Sequence, residues 1–151
     1  MAIEVVVEQA IARPPDEVFA RIADVGAWPS WLIASGIVAV ARSSTGQLAA
    51  GDQLTVTQRA AGRAGTFDAT VRELAAPTAL VVEGRDAEGV TITIDARVAA
   101  RDEGSTLRWS IRIGLPFRYR FFESMAKPEV QRAAALDLEA LRLQLETGSS
   151  A

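Results

Sequence analysis

The sequence contains no cysteine and no histidine among its 151 residues. Disulfide bonds, thiolate nucleophiles, histidine general bases and metal sites built on these two residue types are therefore excluded within it. Any chemistry would have to come from Asp, Glu, Arg, Tyr, Ser or Thr side chains. The formal net charge of −3 also lacks the basic surplus that is typical of nucleic-acid binding, so we expect no nucleic-acid partner.

Long apolar runs are scarce as well. The longest uncharged stretch, residues 25–41, is shorter than the ~20 residues that a membrane-spanning helix needs, and Gly, Pro and Ser interrupt it. Glu4 and Glu8 interrupt the first ten residues, so no secretory signal is predicted. Together with the absence of cysteine, this favours a cytoplasmic location. The many Arg and Ala residues are typical of a GC-rich, bacterial coding genome.

What is present is the composition of a folded domain. Hydrophobic residues make up 49% of the chain and charged residues 23%, which is typical of globular proteins. At this length one hydrophobic core is expected, and no segment resembles a linker. The sequence therefore predicts a single domain over residues 1–147, followed by a disordered tail at 148–151.

Hydrophobic periodicity predicts a strand, two short helices, six strands and a long helix. Apolar residues alternate from Ile3 to Ile11, and Pro15 with the acids after it indicates a helix start. Asp24 is predicted to cap a short helix at 27–32 that Gly36 closes. Further strands are predicted at 37–42, 53–59, 66–74, 80–85, 90–99 and 106–114, with turns typical of an antiparallel meander.

The last element is an amphipathic helix whose apolar stripe is formed by Val130, Ala134, Leu138, Leu141 and Leu145 and which ends at Gly148. Its start has two interpretations: Pro128 lies in the first turn, or the helix begins near Phe121 and Pro128 kinks it. The element order predicts an α+β fold in which a seven-stranded antiparallel sheet curves around this helix.

The inner face of the predicted sheet is almost wholly apolar. In the four strands with the clearest alternation, no Asp, Glu, Arg or Tyr falls on the inner side, which argues against an enzyme. Gln9 and Gln58 are the polar candidates there. A filled core explains this pattern, but small residues such as Gly84 and the run Ala133–Ala135 also allow a cavity between sheet and helix.

Four aromatic residues and two arginines lie within residues 116–122. The aromatic rings could plug one end of the sheet while the arginines stay solvated. They could equally form a gate over a cavity, or a patch that transiently contacts an anionic membrane surface. Tyr119 is the residue of this segment that could offer a hydrogen bond to a ligand.

Two segments resemble the START-like (SRPBCC) superfamily, in its polyketide cyclase/dehydrase and lipid-transport branch. They are Pro14-Pro15-Asp16-Glu17-Val18-Phe19 and Asp24-Val25-Gly26-Ala27-Trp28-Pro29-Ser30-Trp31. The resemblance implies the helix-grip (Bet v 1-like) fold, with two short helices between strands 1 and 2 and a deep cavity for hydrophobic ligands. Within that frame Trp28 would pack the short helix under the sheet and Trp31 would lie at the cavity edge. Leu32-Ile33 stands where the family often has Asn-Pro, which makes the mouth less polar.

Inner-face alternation and this resemblance together predict a ligand site. The predicted cavity residues are Trp31, Leu54, Val56, Phe67, Ala69, Val82, Ile92, Ile94, Trp109, Ile111, Met125, Val130 and Ala134. The predicted rim or gate consists of Leu32, Phe117, Tyr119, Phe121 and Phe122. No catalytic residue, metal site or cofactor is predicted.

Three functions remain open at the level of sequence. The first is a carrier or sensor of a hydrophobic small molecule such as a lipid, polyketide or quinone. The second is a polyketide cyclase or dehydratase, which would need Tyr119, Asp68, Glu83 or a shifted arginine at the cavity. The third is a protein-interaction module of the same fold. The assembly is expected to be a monomer or a homodimer.

Overall fold

The computed structural model describes residues 2–60 and 62–148. Its strands are β1 (Ala2–Ile11), β2 (Ile37–Arg42), β3 (Gln53–Ala60), β4 (Arg63–Ala75), β5 (Ala79–Arg85), β6 (Thr91–Arg101) and β7 (Gly104–Gly114). Its α-helices are α1 (Pro15–Ala23), α2 (Trp28–Trp31) and α3 (Glu123–Thr147). Short 3-10 helices at Val25–Ala27 and Phe117–Phe122 precede α2 and α3.

The seven strands form one antiparallel sheet in the order β1-β7-β6-β5-β4-β3-β2. Consecutive strands from β2 to β7 are neighbours, and β1 closes the order by pairing with β7 along its whole length, from Ala2 opposite Gly114 to Ile11 opposite Ser105. The long helix α3 packs on this sheet, most extensively against β1. The predicted helix-grip arrangement, with two short helices between β1 and β2, is confirmed.

The alternation of side chains follows the predicted faces over most of the sheet, and a bulge in β4 adjusts it. Phe67, Ala69 and Val71 lie on the inner face of β4, but the register shifts between Val71 and Glu73. Because one extra residue is accommodated there, Leu74 comes to lie opposite Leu80 on the inner face. The bulge therefore extends the apolar face of β4 and keeps Glu73 exposed.

The segment between β1 and β2 covers one end of the sheet. Helix α1 begins at Pro15 with acids in its first turn, and it buries Val18, Phe19 and Ile22. Asp24 stands at the predicted capping position, but its side chain makes no capping hydrogen bond, so that prediction is wrong. The backbone amide of Ala27 bonds instead to the Asp24 carbonyl at 2.9 Å, which closes a 3-10 turn without the side chain.

Gly36 ends this segment for a steric reason. Its φ is +78°, and a Cβ atom there would lie 2.2 Å from the carbonyl oxygen of Arg59. The same close approach brings the Arg59 amide within 2.8 Å of the Gly36 carbonyl. Only glycine fits this crossing of the chain over β3.

Helix α3 starts earlier than the first of the two sequence interpretations, at Glu123, and Pro128 lies inside it. It ends at Gly148, whose φ of +74° is the left-handed conformation of a glycine helix cap. Arg13 bonds to the carbonyls of Leu145 and Glu146 at 2.9 and 3.0 Å, which ties the last turn to the start of α1. The predicted tail beyond Gly148 lies outside the described residues. No helix within the described part of the chain is long and apolar enough to cross a bilayer.

Candidate functional site

An apolar cavity of about 450 Å³ lies between the sheet and α3. A volume of this size is in the range of small-molecule sites. Sheet residues form one wall: Ile37, Val56, Gln58, Ala60, Phe67, Ala69, Val82, Gly84, Ile92, Ile94, Trp109, Ile111 and Ile113. The opposite wall comes from Trp28, Leu32, Ala34 and Ser35 around α2, and from Glu129, Val130, Arg132, Ala133 and Leu136 of α3.

Small residues on neighbouring strands leave the space open. Gly84 of β5 lies opposite Ala69 of β4 in the register, and both line the cavity. A Cβ atom on Gly84 would lie 3.2 Å from the Ala69 Cβ, so the two strands face the cavity with almost no side-chain bulk at this point. On the helix, Ala133 has the same effect.

Ten of the predicted site residues come together around this cavity. They are Val56, Phe67, Ala69, Val82, Ile92, Ile94, Trp109, Ile111, Val130 and the predicted rim residue Leu32. Period-two alternation places those on strands there. Their contact with a ligand stays a prediction.

Four predicted cavity residues lie elsewhere. Trp31 is fully buried and packs edge-to-face on Trp109 at 5.3 Å, so it belongs to the core rather than to the cavity edge. Leu54 and Ala134 are also buried in the core, at 2% and 1% exposure. Met125 is 71% exposed on the first turns of α3 and does not line the cavity.

The predicted gate residues of the 3-10 helix do not line the cavity either. Phe117, Phe121 and Phe122 are 76%, 75% and 55% exposed, so their rings do not plug the end of the sheet. The Tyr119 hydroxyl donates a hydrogen bond to the Glu88 carboxylate at 3.0 Å, on the turn between β5 and β6. The Arg120 guanidinium lies 4.5 Å from the Phe117 ring centroid, which is a cation–π distance.

Sequence reasoning found one of the polar residues at the cavity, Gln58, and missed the two charged ones. Glu129 and Arg132 form an ion pair on α3, and their side chains are 68% and 70% exposed, which places them at the solvent edge. Gln58 donates to the Ser35 carbonyl at 2.8 Å on the other side. The inner parity of β3 pointed to Gln58, whereas Glu129 and Arg132 stand beside the predicted stripe of α3 and not on it.

Asp137 is a buried carboxylate that sequence reasoning also missed. It is 1% exposed, and it accepts hydrogen bonds from the backbone amides of Ala34 at 2.7 Å and Ser35 at 3.1 Å. Burial raises the pKa of Asp137 above its usual value, and the hydrogen bonds from Ser35 and Ala34 partly oppose this shift. The signal was available, because Asp137 stands three residues after Ala134 and four before Leu141, on the same face of α3 as the predicted stripe. It fixes the cavity segment 34–35 to the helix.

No cluster of three or more acidic side chains that could hold a metal ion occurs within residues 2–60 and 62–148.

Comparison with known proteins shows which family the chain belongs to. The family model described as polyketide cyclase / dehydrase and lipid transport matches residues 2–146. The chain belongs to this family. The resemblance seen in the sequence to the START-like (SRPBCC) superfamily is thereby confirmed.

Solved structures similar to this polyketide cyclase/dehydrase and lipid transport family member share its fold at low sequence identity. TTHA0849 from Thermus thermophilus has a TM-score of 0.77 at 14% identity, over 97% of this chain and 99% of that one. The ZhuI aromatase/cyclase from Streptomyces sp. R1128 has a TM-score of 0.77 at 17% identity, over 97% and 94%. The di-domain aromatase/cyclase StfQ of the steffimycin biosynthetic pathway has a TM-score of 0.79 at 9% identity, over 100% and 53%.

No curated protein matches the sequence of this family member. At these identities the structural matches establish the fold and leave the activity open, because one fold serves many functions. The function therefore has to be argued from the cavity itself.

Proposed function

We propose that this family member binds a hydrophobic small molecule, as a carrier or sensor, in the cavity between the sheet and α3. The observation that carries the proposal is the cavity's own wall: about 450 Å³ bounded mostly by aliphatic and aromatic side chains. An apolar ligand gains free energy there in proportion to the apolar area removed from water, roughly 25 cal/mol per Å². A lipid, polyketide or quinone fits this chemistry.

Mass spectrometry of the purified protein tests this proposal directly. The intact chain is measured under native conditions, then again after extraction with organic solvent. We expect a discrete hydrophobic mass near one-to-one stoichiometry that disappears on extraction. A chain that is empty in both measurements, and that also leaves a panel of lipids and quinones unbound, would refute the proposal.

We further propose that ligand exchange takes place at an anionic membrane surface. Phe117, Phe121, Phe122 and Met125 form what we call the aromatic patch, each of them more than half exposed to solvent. Apolar side chains beside arginines are typical of surfaces that lie in the headgroup region of a bilayer.

The compartment that we propose is the cytoplasm, because the sequence contains no cysteine.

Catalysis is the alternative function, and the aromatase/cyclases among the similar structures are what favours it. Asp68 and Glu83 do not line the cavity, and Tyr119 is bonded to Glu88. An enzyme built on this cavity would draw on the polar side chains that line it, which are Glu129, Arg132, Gln58 and Ser35 among the described residues. Turnover of a polyketide substrate that is lost in Glu129→Gln and Arg132→Gln would support this alternative against the carrier.

A further inference from the structure

We propose that the ligand is an amphiphile with a carboxylate head, whose apolar part fills the cavity and whose carboxylate binds the Arg132 guanidinium at the mouth. The inference rests on the proposed ligand-binding function and adds the chemical class of the ligand. It is carried by the placement of charge around the cavity.

The cavity has its charged groups at one place. Of the described residues that line it, Glu129 and Arg132 alone carry a formal charge, and they stand three residues apart on α3 with most of their side chains in solvent. The remaining walls are mainly apolar. A ligand with an apolar body and one charged end can therefore bury its body and leave its end at the solvent edge, where the desolvation cost of a charge is small.

Arg132 has free hydrogen-bonding capacity for such an end. A guanidinium has five N–H donors, and among the described residues Arg132 donates to Glu129 alone. Its planar fork matches a carboxylate in two parallel hydrogen bonds. The carboxylate of a ligand can bind beside Glu129 or replace it.

The charge balance of the chain segment that ends at Arg132 favours an anion over a cation. Residues 117–132 contain four cations, at Arg118, Arg120, Lys127 and Arg132, against two anions, at Glu123 and Glu129, in a chain whose net charge is −3. Asp137, the next acid along α3, is already bonded to the amides of Ala34 and Ser35. An ammonium head at the mouth would meet the positive charge of Arg132, three residues from Glu129 on α3.

Three probes of equal chain length separate the possibilities: dodecanoate, dodecanol and dodecylamine. Each is titrated at neutral pH into the extracted protein, and binding is followed by tryptophan fluorescence, because Trp28 and Trp109 line the cavity. We expect dodecanoate to bind most tightly. Arg132→Gln should weaken dodecanoate binding by about three- to tenfold and leave dodecanol binding unchanged.

One further variant serves as the control, and another is a second test of the carboxylate site. Arg112→Gln removes the same charge from the outer face of β7, where Arg112 lies 3.6 Å from Glu4, and it should bind all three probes as the unmodified chain does. Glu129→Gln removes the competing carboxylate and should strengthen dodecanoate binding.

The outcomes also distinguish this inference from the proposed function. If dodecanol or dodecylamine binds as tightly as dodecanoate, or if Arg132→Gln behaves like Arg112→Gln, the carboxylate site is overturned while ligand binding stands. If none of the three probes binds, this inference fails, and mass spectrometry with the lipid and quinone panel decides separately whether the ligand-binding function stands.

Discussion

At the scale of single residues, Asp137 is the group whose ionisation is coupled to the cavity wall. Its pKa is raised by burial, so the folded chain holds the Asp137 proton more tightly than the unfolded chain does. The stability from this group is therefore complete below the unfolded pKa of about 3.9 and declines as the pH rises through the higher folded pKa. The side-chain amide of the variant Asp137→Asn does not ionise. The difference in unfolding free energy between wild type and variant should therefore shift in favour of the variant as the pH rises through the folded pKa of Asp137.

Urea denaturation at a series of pH values from about 4 to 8 measures this difference. Glu103→Gln, at an exposed acid in the turn between β6 and β7, is the control for the loss of one negative charge. If the difference in unfolding free energy between wild type and Asp137→Asn is constant with pH, or if it shifts in favour of wild type as the pH rises, the raised pKa of Asp137 is contradicted.

Asp137→Ala removes the acceptor of two backbone amides, those of Ala34 and Ser35. This loss should lower the free energy of unfolding by about 1–3 kcal/mol for each unpaired amide.

The two tryptophans of α2 mark the limit of prediction at this scale. The family resemblance implied that Trp31 lies at the cavity edge and that Trp28 packs under the sheet, whereas in the structure Trp28 lines the cavity and Trp31 does not. Both rings are buried against Trp109 in edge contacts, at 6.3 and 5.3 Å. Which of two neighbouring buried rings faces a cavity depends on the rotation of a four-residue helix. Composition and spacing do not determine that rotation.

At the scale of elements, the strands were far more predictable than the long helix. A strand has two faces with a period of two, and every described residue of β5, β6 and β7 that lines the cavity lies on the predicted apolar side. A helix presents residues in all directions, and the residues of α3 are divided between the hydrophobic core and the cavity wall. Ala134, Leu138 and Leu141 pack in the core, whereas Glu129, Ala133 and Leu136 line the cavity. The hydrophobic stripe contained the core residues and Val130, but Ala134 was predicted to line the cavity and Glu129 and Leu136 were not predicted to line it.

This division of α3 predicts that leucine substitutions at two nearby alanines differ in their effect on ligand binding. Ala133→Leu adds bulk to a residue that lines the cavity, so it should weaken ligand binding at least about tenfold. The free energy of unfolding of this variant should stay equal to that of wild type or rise by up to about 2 kcal/mol, because the leucine buries more apolar surface. Ala135→Leu makes the same change at an exposed position and should leave binding unaltered. Titration with a hydrophobic fluorescent probe and thermal unfolding measure both effects. Equal binding by the two variants would show that ligands do not enter this cavity.

At the scale of the whole molecule, charge and exposed apolar surface coincide at one end. The aromatic patch lies on the 3-10 helix and first turns of α3, in the segment where cations outnumber anions. The sequence identified this segment by composition. It did not show that the rings stand in solvent, because exposure depends on how the segment meets the sheet.

This coincidence predicts membrane binding that depends on both charge and aromatic side chains. The chain should co-sediment with vesicles containing phosphatidylserine and much less with vesicles of phosphatidylcholine alone. Added salt should release the bound chain, because screening weakens the attraction of exposed arginines for anionic headgroups. The double variant Phe117→Ser/Phe121→Ser should lower the bound fraction about tenfold or more, since two rings that are 76% and 75% exposed lose their burial in the interface. Leu143→Ser removes a half-exposed apolar side chain near the other end of α3 and should bind as the unmodified chain does. Binding that is equal for both vesicle types, or for both variants, would mean that the aromatic patch does not dock on membranes.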